Sequence, residues 1–133
     1  MSAIGTGQSA QTFKKSERLS SRIVFELLMK KGHQLQETPF RLIWLKTKLN
    51  TAFPAQAAFA VPKKKFKSAV HRNRIKRMMR EVYRKNKSGF YPLLVDKEKQ
   101  AALLFVYSGQ TIPEFSEVEQ KLIQILKRFA EVF

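Results

Sequence analysis

A cationic segment at residues 63–87 restricts the fold of this chain more than any other part of its sequence. Twelve of these residues are Lys or Arg, and only Glu81 is acidic. On a helix that starts at Ala69 and turns about 100° per residue, the charged side chains share one face and apolar side chains share the opposite face. Ser68 can accept a hydrogen bond from the first turn, and Ser88-Gly89 can end the helix. The pattern therefore predicts an amphipathic helix that packs on a core and presents a charged surface.

The charged face of this helix is the first candidate site. Its cationic line is Arg72, Lys76, Arg80 and Arg84, with Asn73 and Arg77 beside it, and the apolar arc holds His71, Ile75, Met78, Met79 and Val82. A solvated face is the alternative interpretation, but such faces usually mix charges of both signs. Like charges at i, i+4 repel each other and cost stability, so a bound polyanion would relieve that cost. Arginine suits phosphate oxygens, and asparagine can contact a base edge or a sugar.

The composition favours a folded nucleic-acid-binding protein. The chain has 133 residues, enough for one domain, with 44% hydrophobic residues and eleven Phe. Its formal net charge of +16 makes nucleic acid the expected partner. An anionic membrane surface is the competing partner, but no apolar run approaches the ~18 residues of a membrane span. The absence of cysteine excludes disulfides and thiolate metal sites.

The remaining pattern predicts the order α-β-β-α-β-α. Residues 1–12 are expected to form a flexible lead-in. A helix capped by Ser20 or Ser21 runs to about residue 31, and Gly32 ends it in the left-handed conformation. Its core stripe is Ile23, Val24, Leu27 and Leu28. Strands are expected at 40–46, 57–61 and 101–107, the last one central and covered on both faces, with loops at 48–56 and 88–100. A final helix starts near Pro113 or at Ser116.

The residue inventory predicts a binding protein, not a self-sufficient enzyme. The chain has one Asp, Asp96, and no paired-carboxylate motif of the kind that holds catalytic metal ions. A metal-free nuclease would use histidine, and the chain has only two. We expect His33 to be a turn residue after the first helix, and His71 to be a packed or edge residue of the basic helix. No Gly-rich phosphate loop is present.

The string Ala69-Val-His-Arg-Asn-Arg-Ile-Lys-Arg77, followed by Arg80-Glu81, resembles the Arg-Asn-Arg signature of the bacterial ribonuclease P protein subunit. Lys63-Lys64 precedes it at the family's spacing. Arg18-Leu19, Phe25 and Gly32 match the family's N-terminal spacing, so the resemblance runs from about residue 13 to residue 133. It implies one domain over 13–133 with an α+β, α-β-β-β-α-β-α sandwich, like the second domain of ribosomal protein S5. It also implies a left-handed β-α-β crossover, where general rules predict a right-handed one, and one more strand within residues 40–61.

The resemblance further implies a function. In this family the protein joins a catalytic RNA that removes the 5′ leader of precursor tRNA, with Mg²⁺ bound mainly by the RNA. The complex is an endoribonuclease in which the protein supplies no catalytic residue. We therefore expect a cytoplasmic protein with no membrane partner, with one protein per RNA. The implied RNA-binding residues are Lys63, Lys64, Arg72, Asn73, Arg74, Lys76, Arg77, Arg80 and Arg84. The implied leader-cleft residues are Phe25, Met29, Ile43 and Trp44.

Two other functions stay open on the sequence. A general basic RNA-binding or ribosome-associated protein would share the charge without needing the Arg72-Asn73-Arg74 string. A stand-alone nuclease would cleave RNA without an RNA subunit, and the carboxylate and histidine inventory argues against it.

Overall fold

The computed structural model describes residues 12–133, so the predicted lead-in lies outside the described residues except for Thr12. Four strands and four helices follow in chain order. They are α1 (Arg22–Lys31), β1 (His33–Glu37), β2 (Phe40–Lys46), β3 (Ala55–Ala60), α2 (Ala69–Asn86), α3 (Tyr91–Asp96), β4 (Ala101–Tyr107) and α4 (Phe115–Val132). Short 3-10 turns at Lys15–Glu17 and Lys87–Gly89 complete the list. The predicted α+β sandwich is confirmed, with the short helix α3 added between α2 and β4.

The four strands form one sheet in the order β1-β2-β4-β3. β3 and β4 are parallel and are joined through α2, whereas β1, β2 and β4 are antiparallel to their neighbours. All seven residues of β4 are buried, as its continuous apolar sequence predicts. β3 is an edge strand, and on its free side the backbone N–H of Leu19 donates to the carbonyl of Ala57 at 3.0 Å. This bond holds the N-terminal arm, residues 12–19, on that edge of the sheet.

Side chains of the sheet alternate between two faces with different covers. On one face, Leu42, Trp44 and Phe105 belong to the main core, which includes the buried stripes of α2 and α4. On the other face, Ile43 and Leu104 join a smaller cluster with Leu19, Leu28 and Leu49. We call this second side the α1 face, because α1 is the helix that packs on it.

The first helix differs from its prediction in two ways. Ser21 caps it, as expected, by accepting from the N–H of Val24 at 3.3 Å. Ile23, expected in the core, is 73% exposed, because α1 lies alone on its face of the sheet and buries only a narrow stripe around Leu28. Gly32 has a φ of −66° and is not left-handed. It is needed for space, since a Cβ there would lie 2.3 Å from the carbonyl oxygen of Leu28 and 2.7 Å from Ile43 Cγ2.

The additional strand implied by the family lies at His33–Glu37, so its predicted place within residues 40–61 is wrong. β1 pairs with β2 through a tight turn that contains a cis peptide bond between Thr38 and Pro39. The sequence HQLQE gives little strand signal, because an edge strand buries few side chains. The loop predicted at 88–100 contains α3. The last helix begins at Phe115, as its predicted start near Pro113 requires, and Glu114 holds the N-cap position without a side-chain capping bond.

Candidate nucleic-acid interface

α2 is the amphipathic helix that the sequence predicts. Ser68 Oγ accepts from the N–H of His71 at 3.4 Å at its start. Ile75, Met79 and Val82 are buried in the main core, with Met78 half-buried beside them. His71 is exposed, which excludes the packed alternative of its prediction and leaves the edge position. One face of α2 is thereby fixed against the sheet, and the cationic face is turned outward.

The outward face carries cations that lack anionic partners among residues 12–133. Asn73, Arg74, Arg77 and Arg80 are exposed, and Lys76 is half-buried. Lys63 and Lys64 are exposed in the loop before α2, where the N–H of Lys65 donates to the Pro62 carbonyl at 3.2 Å. Among residues 12–133, no carboxylate lies within ion-pair distance of these lysines and arginines. The set brings together seven of the nine residues that the resemblance assigns to RNA binding.

Arg72 has a structural role besides its charge. Its Nη1 donates to the carbonyl oxygens of Phe66 and Lys67 at 2.6 and 2.9 Å. These charge-assisted bonds hold the loop that contains Lys63 and Lys64 against the first turn of α2. The guanidinium therefore connects two parts of the cationic surface.

Arg84 is the predicted residue whose charge is most compensated. Its Nη2 and Nε donate to Glu81 Oε1 and Oε2 at 2.5 and 3.1 Å. The hydrogen bond from Arg84 lowers the pKa of the Glu81 carboxyl, and the same bond raises the pKa of Arg84. Arg84 thus offers a phosphate less net charge than Arg74 or Arg77 does.

Arg80 is positioned by an aromatic ring. Its guanidinium carbon lies 5.9 Å from the ring centroid of Phe59, a distance that fits a cation–π contact. Phe59 stacks on Phe105 of β4 at 5.4 Å and meets the edge of Phe13 at 5.9 Å. The sheet and the N-terminal arm therefore both restrain the ring that supports Arg80.

The N-terminal arm brings further cations to this region that were not among the predicted RNA-binding residues. Lys14, Lys15 and Arg18 are exposed on it. The arm is anchored by Glu17, which forms a buried ion pair with Lys87 at the end of α2. No local pattern in the sequence marks this contact, because its two partners are 70 positions apart.

Two tyrosines complete the buried anchor. Tyr91 Oη donates to Glu17 Oε2 at 2.9 Å, and the hydroxyls of Tyr83 and Tyr91 lie 2.8 Å apart. Burial raises the pKa of both phenols well above the ordinary value, so both stay neutral and hydrogen-bonded. The anchor is thus a closed polar network that ties the arm to α2 and α3.

The predicted leader-cleft residues divide between the two faces of the sheet. Phe25 is half-buried against the cluster that contains Ile43, so these two share the α1 face. Met29 is 57% exposed and lines a shallow groove on α1 together with Phe25. Trp44 lies on the opposite face, 5.4 Å from Phe129, because neighbouring residues of a strand alternate. Its assignment to the same cleft as Ile43 is therefore wrong.

The two histidines lie on separate elements. His33 opens β1, where its exposed ring lies 4.6 Å from that of Trp44 and is not the predicted turn residue. His71 lies at the start of α2. Within residues 12–133, no three His, Cys, Asp or Glu side chains form a group that could hold a metal ion. None of the helices described here is long and apolar enough to cross a membrane.

Comparisons with known proteins point to one family. The family model described as ribonuclease P matches residues 13–130. The ribonuclease P protein component of Petrotoga mobilis is 43% identical over 119 residues, covering 88% of this chain and 92% of the relative. That of Porphyromonas gingivalis is 32% identical over 116 residues, covering 87% and 85%.

Solved structures agree with this match. The ribonuclease P protein from Thermotoga maritima superimposes with a TM-score of 0.66 at 28% identity, covering 84% of this chain and 96% of that one. The Staphylococcus aureus protein gives a TM-score of 0.68 at 24% identity, covering 90% and 99%, and shows the likeness of fold.

Proposed function

The chain belongs to the ribonuclease P protein family, whose function is the processing of tRNA 5′ leaders, and on that premise we propose how its surfaces divide the work. The ribonuclease P complex is an endoribonuclease with an RNA partner. The outward face of α2 binds the catalytic RNA, and the α1 face binds the single-stranded leader of precursor tRNA. One protein serves one RNA, in the cytoplasm.

The uncompensated charge on α2 carries this proposal. Asn73, Arg74 and Arg77 are exposed on a helix whose other face is fixed in the core, so they form a rigid cationic surface. Backbone phosphates of a folded RNA suit such a surface, and Asn73 adds a group that can both donate and accept. Lys63, Lys64, Lys76 and Arg80 enlarge the surface, and Arg72 holds its loop in place.

The leader site is supported by the α1 face. Phe25 offers an aromatic ring on which an unpaired base can stack, and such stacking tolerates different base sequences. Ile43 forms the apolar floor beside it, and Met29 extends the groove along α1. The weak sequence dependence of stacking suits a site that receives leaders of different sequence.

We assign the hydrolysis to the RNA subunit and its Mg²⁺ ions. The donor groups of residues 12–133 do not fit a metal site, since they form no cluster of three possible ligands. No step is therefore assigned to an ion bound by the protein. The protein's cations would offset phosphate repulsion and so lower the Mg²⁺ concentration that the RNA needs.

Cleavage of a precursor tRNA at low Mg²⁺ by a bacterial ribonuclease P RNA, with and without this chain, tests the proposal. We expect strong stimulation by the protein, no cleavage by the protein alone, and loss of stimulation in Arg74→Ala/Arg77→Ala. The control Lys121→Ala/Lys127→Ala removes the same charge from α4 and should behave as wild type. Equal loss in both variants would indicate general attraction by net charge. Cleavage by the protein alone would place a catalytic site in it.

A further inference from the structure

Arg41 occupies an unusual position on the α1 face. It lies in β2 between Gln36 of β1 and Val106 of β4, two residues from Ile43. Val106 and Ile43 both belong to the small cluster under α1, so the Arg41 side chain shares their face of the sheet. The residue as a whole is half-buried, so part of its side chain reaches the surface.

The guanidinium of Arg41 is not satisfied within the described protein. Its Nε is buried and has no acceptor among residues 12–133. Buried donors are nearly always paired, and a charged donor loses more than a neutral one when it lacks a partner. The charge of Arg41 is therefore left for an anion from outside the described residues, which can reach only the exposed part of the side chain.

The acidic residues nearest along the chain are already engaged. Glu26 of α1 pairs with Arg22 at 3.6 Å, and Glu37 of β1, on the opposite face of the sheet, pairs with Arg128 at 2.7 Å. None of the ion pairs formed by residues 12–133 includes Arg41. An unpaired arginine in a chain of net charge +16 needs a mobile anion or a bound one.

The surroundings of Arg41 favour a nucleic-acid strand as that anion. Gln34 and Gln36 are exposed on the same side of the edge strand β1, and each amide can donate and accept. Across the sheet, Ala58 and Ala60 of β3 offer small side chains beside the same cluster. The α1 face thus has polar groups at one edge of the sheet and small residues at the other, and an extended nucleic-acid strand could lie across it.

We propose that Arg41 is a specificity-determining residue, which donates from its terminal Nη groups to one phosphate group of the precursor tRNA leader. A phosphate can accept from both terminal nitrogens of the guanidinium through two oxygens, which would neutralise the charge of Arg41. The contact selects substrates that have a leader long enough to reach β2. This inference rests on the proposed function of the α1 face as the leader site.

Its test is the affinity of the assembled holoenzyme for precursor tRNAs with a long or a one-nucleotide leader. Arg41→Leu should weaken binding of the long-leader substrate roughly tenfold, within the range for hydrogen bonds to charged groups. Binding of the one-nucleotide substrate should not change. Arg41→Lys should recover only part of the loss, because it keeps the charge without the fork. Lys127→Ala is the charge-matched control and should resemble wild type with both substrates.

Neutral methylphosphonate linkages, placed one at a time in the leader, identify the phosphate. One linkage should weaken binding by the wild-type holoenzyme and have no further effect on Arg41→Leu, the signature of a direct contact in a double-mutant cycle. Equal weakening of both leader lengths would assign Arg41 a purely structural role and overturn the inference. If the effect of every methylphosphonate linkage simply adds to that of Arg41→Leu, no linkage marks a direct contact and the inference is overturned as well. Failure of the proposed function looks different, since the wild-type protein would then not stimulate the RNA at all.

Discussion

Glu17 and Lys87 form a buried ion pair that joins the N-terminal arm to the end of the cationic helix. The pair is hydrogen-bonded on both sides, since Lys87 also donates to the Thr12 carbonyl and Tyr91 donates to Glu17. Because Phe13 lies on the same arm and supports the ring under Arg80, this ion pair connects the core to the interface.

We predict that Lys87→Met lowers the free energy of unfolding by about 3–5 kcal/mol, because it leaves the Glu17 carboxylate buried without its cation. The double variant Glu17→Gln/Lys87→Met should be more stable than Lys87→Met alone, since it removes the unpaired charge. Urea unfolding of the three proteins measures both differences. A cost below about 1 kcal/mol for Lys87→Met, the range of exposed pairs, would contradict the buried pairing.

The tyrosines predict an alkaline limit to stability. Burial raises the pKa of all three phenols, Tyr83, Tyr91 and Tyr107, and the charge of Glu117 adds to the effect at Tyr107. Because the pKa of each phenol is higher in the folded than in the unfolded protein, the free energy of unfolding is unaffected below the unfolded-state pKa of about 10. It falls as the pH rises above that value. Phenolate absorbance should therefore appear together with unfolding, followed by circular dichroism. Ionisation of more than one of the three phenols in a protein that keeps its full dichroism would argue against the buried Tyr83–Tyr91 contact, because Tyr107 alone could account for a single phenolate.

A comparison of Arg72→Ala with Arg77→Ala should distinguish an arginine that also has a structural role from one that only binds RNA. Arg72→Ala removes two bonds to backbone carbonyls and should lower the free energy of unfolding by about 1–3 kcal/mol, besides weakening RNA binding. Arg77→Ala should change stability by less than about 0.5 kcal/mol. It should also reduce the slope of log K against log salt by about 0.7–0.9, the contribution of one phosphate contact. Equal stability of the two variants would refute the role assigned to Arg72.

A side chain at Gly32 should cause a steric clash, and Gly89 provides a control in the same chain. Gly32→Ala should destabilise by about 1–3 kcal/mol, because the new Cβ meets the Leu28 carbonyl and Ile43. Gly89→Ala adds the same methyl group where nothing lies within 4 Å, so its effect on the unfolding midpoint should be small. If both variants unfold at the same denaturant concentration, the close packing of α1 on β2 is wrong.

The sequence alone predicted the elements whose burial follows a regular period. α2 was recognisable because charged and apolar residues separate cleanly around the helix, and β4 because all seven of its residues are apolar. β1 was missed because His33–Glu37 contains one apolar residue, Leu35, and its strand form depends on pairing with β2. Local pattern does not encode that pairing.

The candidate nucleic-acid interface was likewise predictable from the sequence only where helical geometry determines it. The exposed cations of α2 follow from helical geometry, whereas the separation of Trp44 from Ile43 requires knowing which face of β2 each side chain takes. The ion pair of Glu17 and the unpaired Nε of Arg41 depend on contacts between distant elements. Such contacts exist only after the sheet has formed, so no spacing in the sequence indicates them.

The strand order also fixes when this protein can fold during its synthesis. β4 lies between β2 and β3, so residues 12–100 contain three strands but no continuous sheet. The apolar stripe of α2 can pack against Phe105 only after β4 has left the ribosome. Phe129 can complete the same core only after α4 has left it. Because these contacts join residues distant in sequence, loop closure precedes most of the stabilisation. The nascent chain therefore exposes a highly basic helix with an uncovered apolar face until both β4 and α4 have left the ribosome.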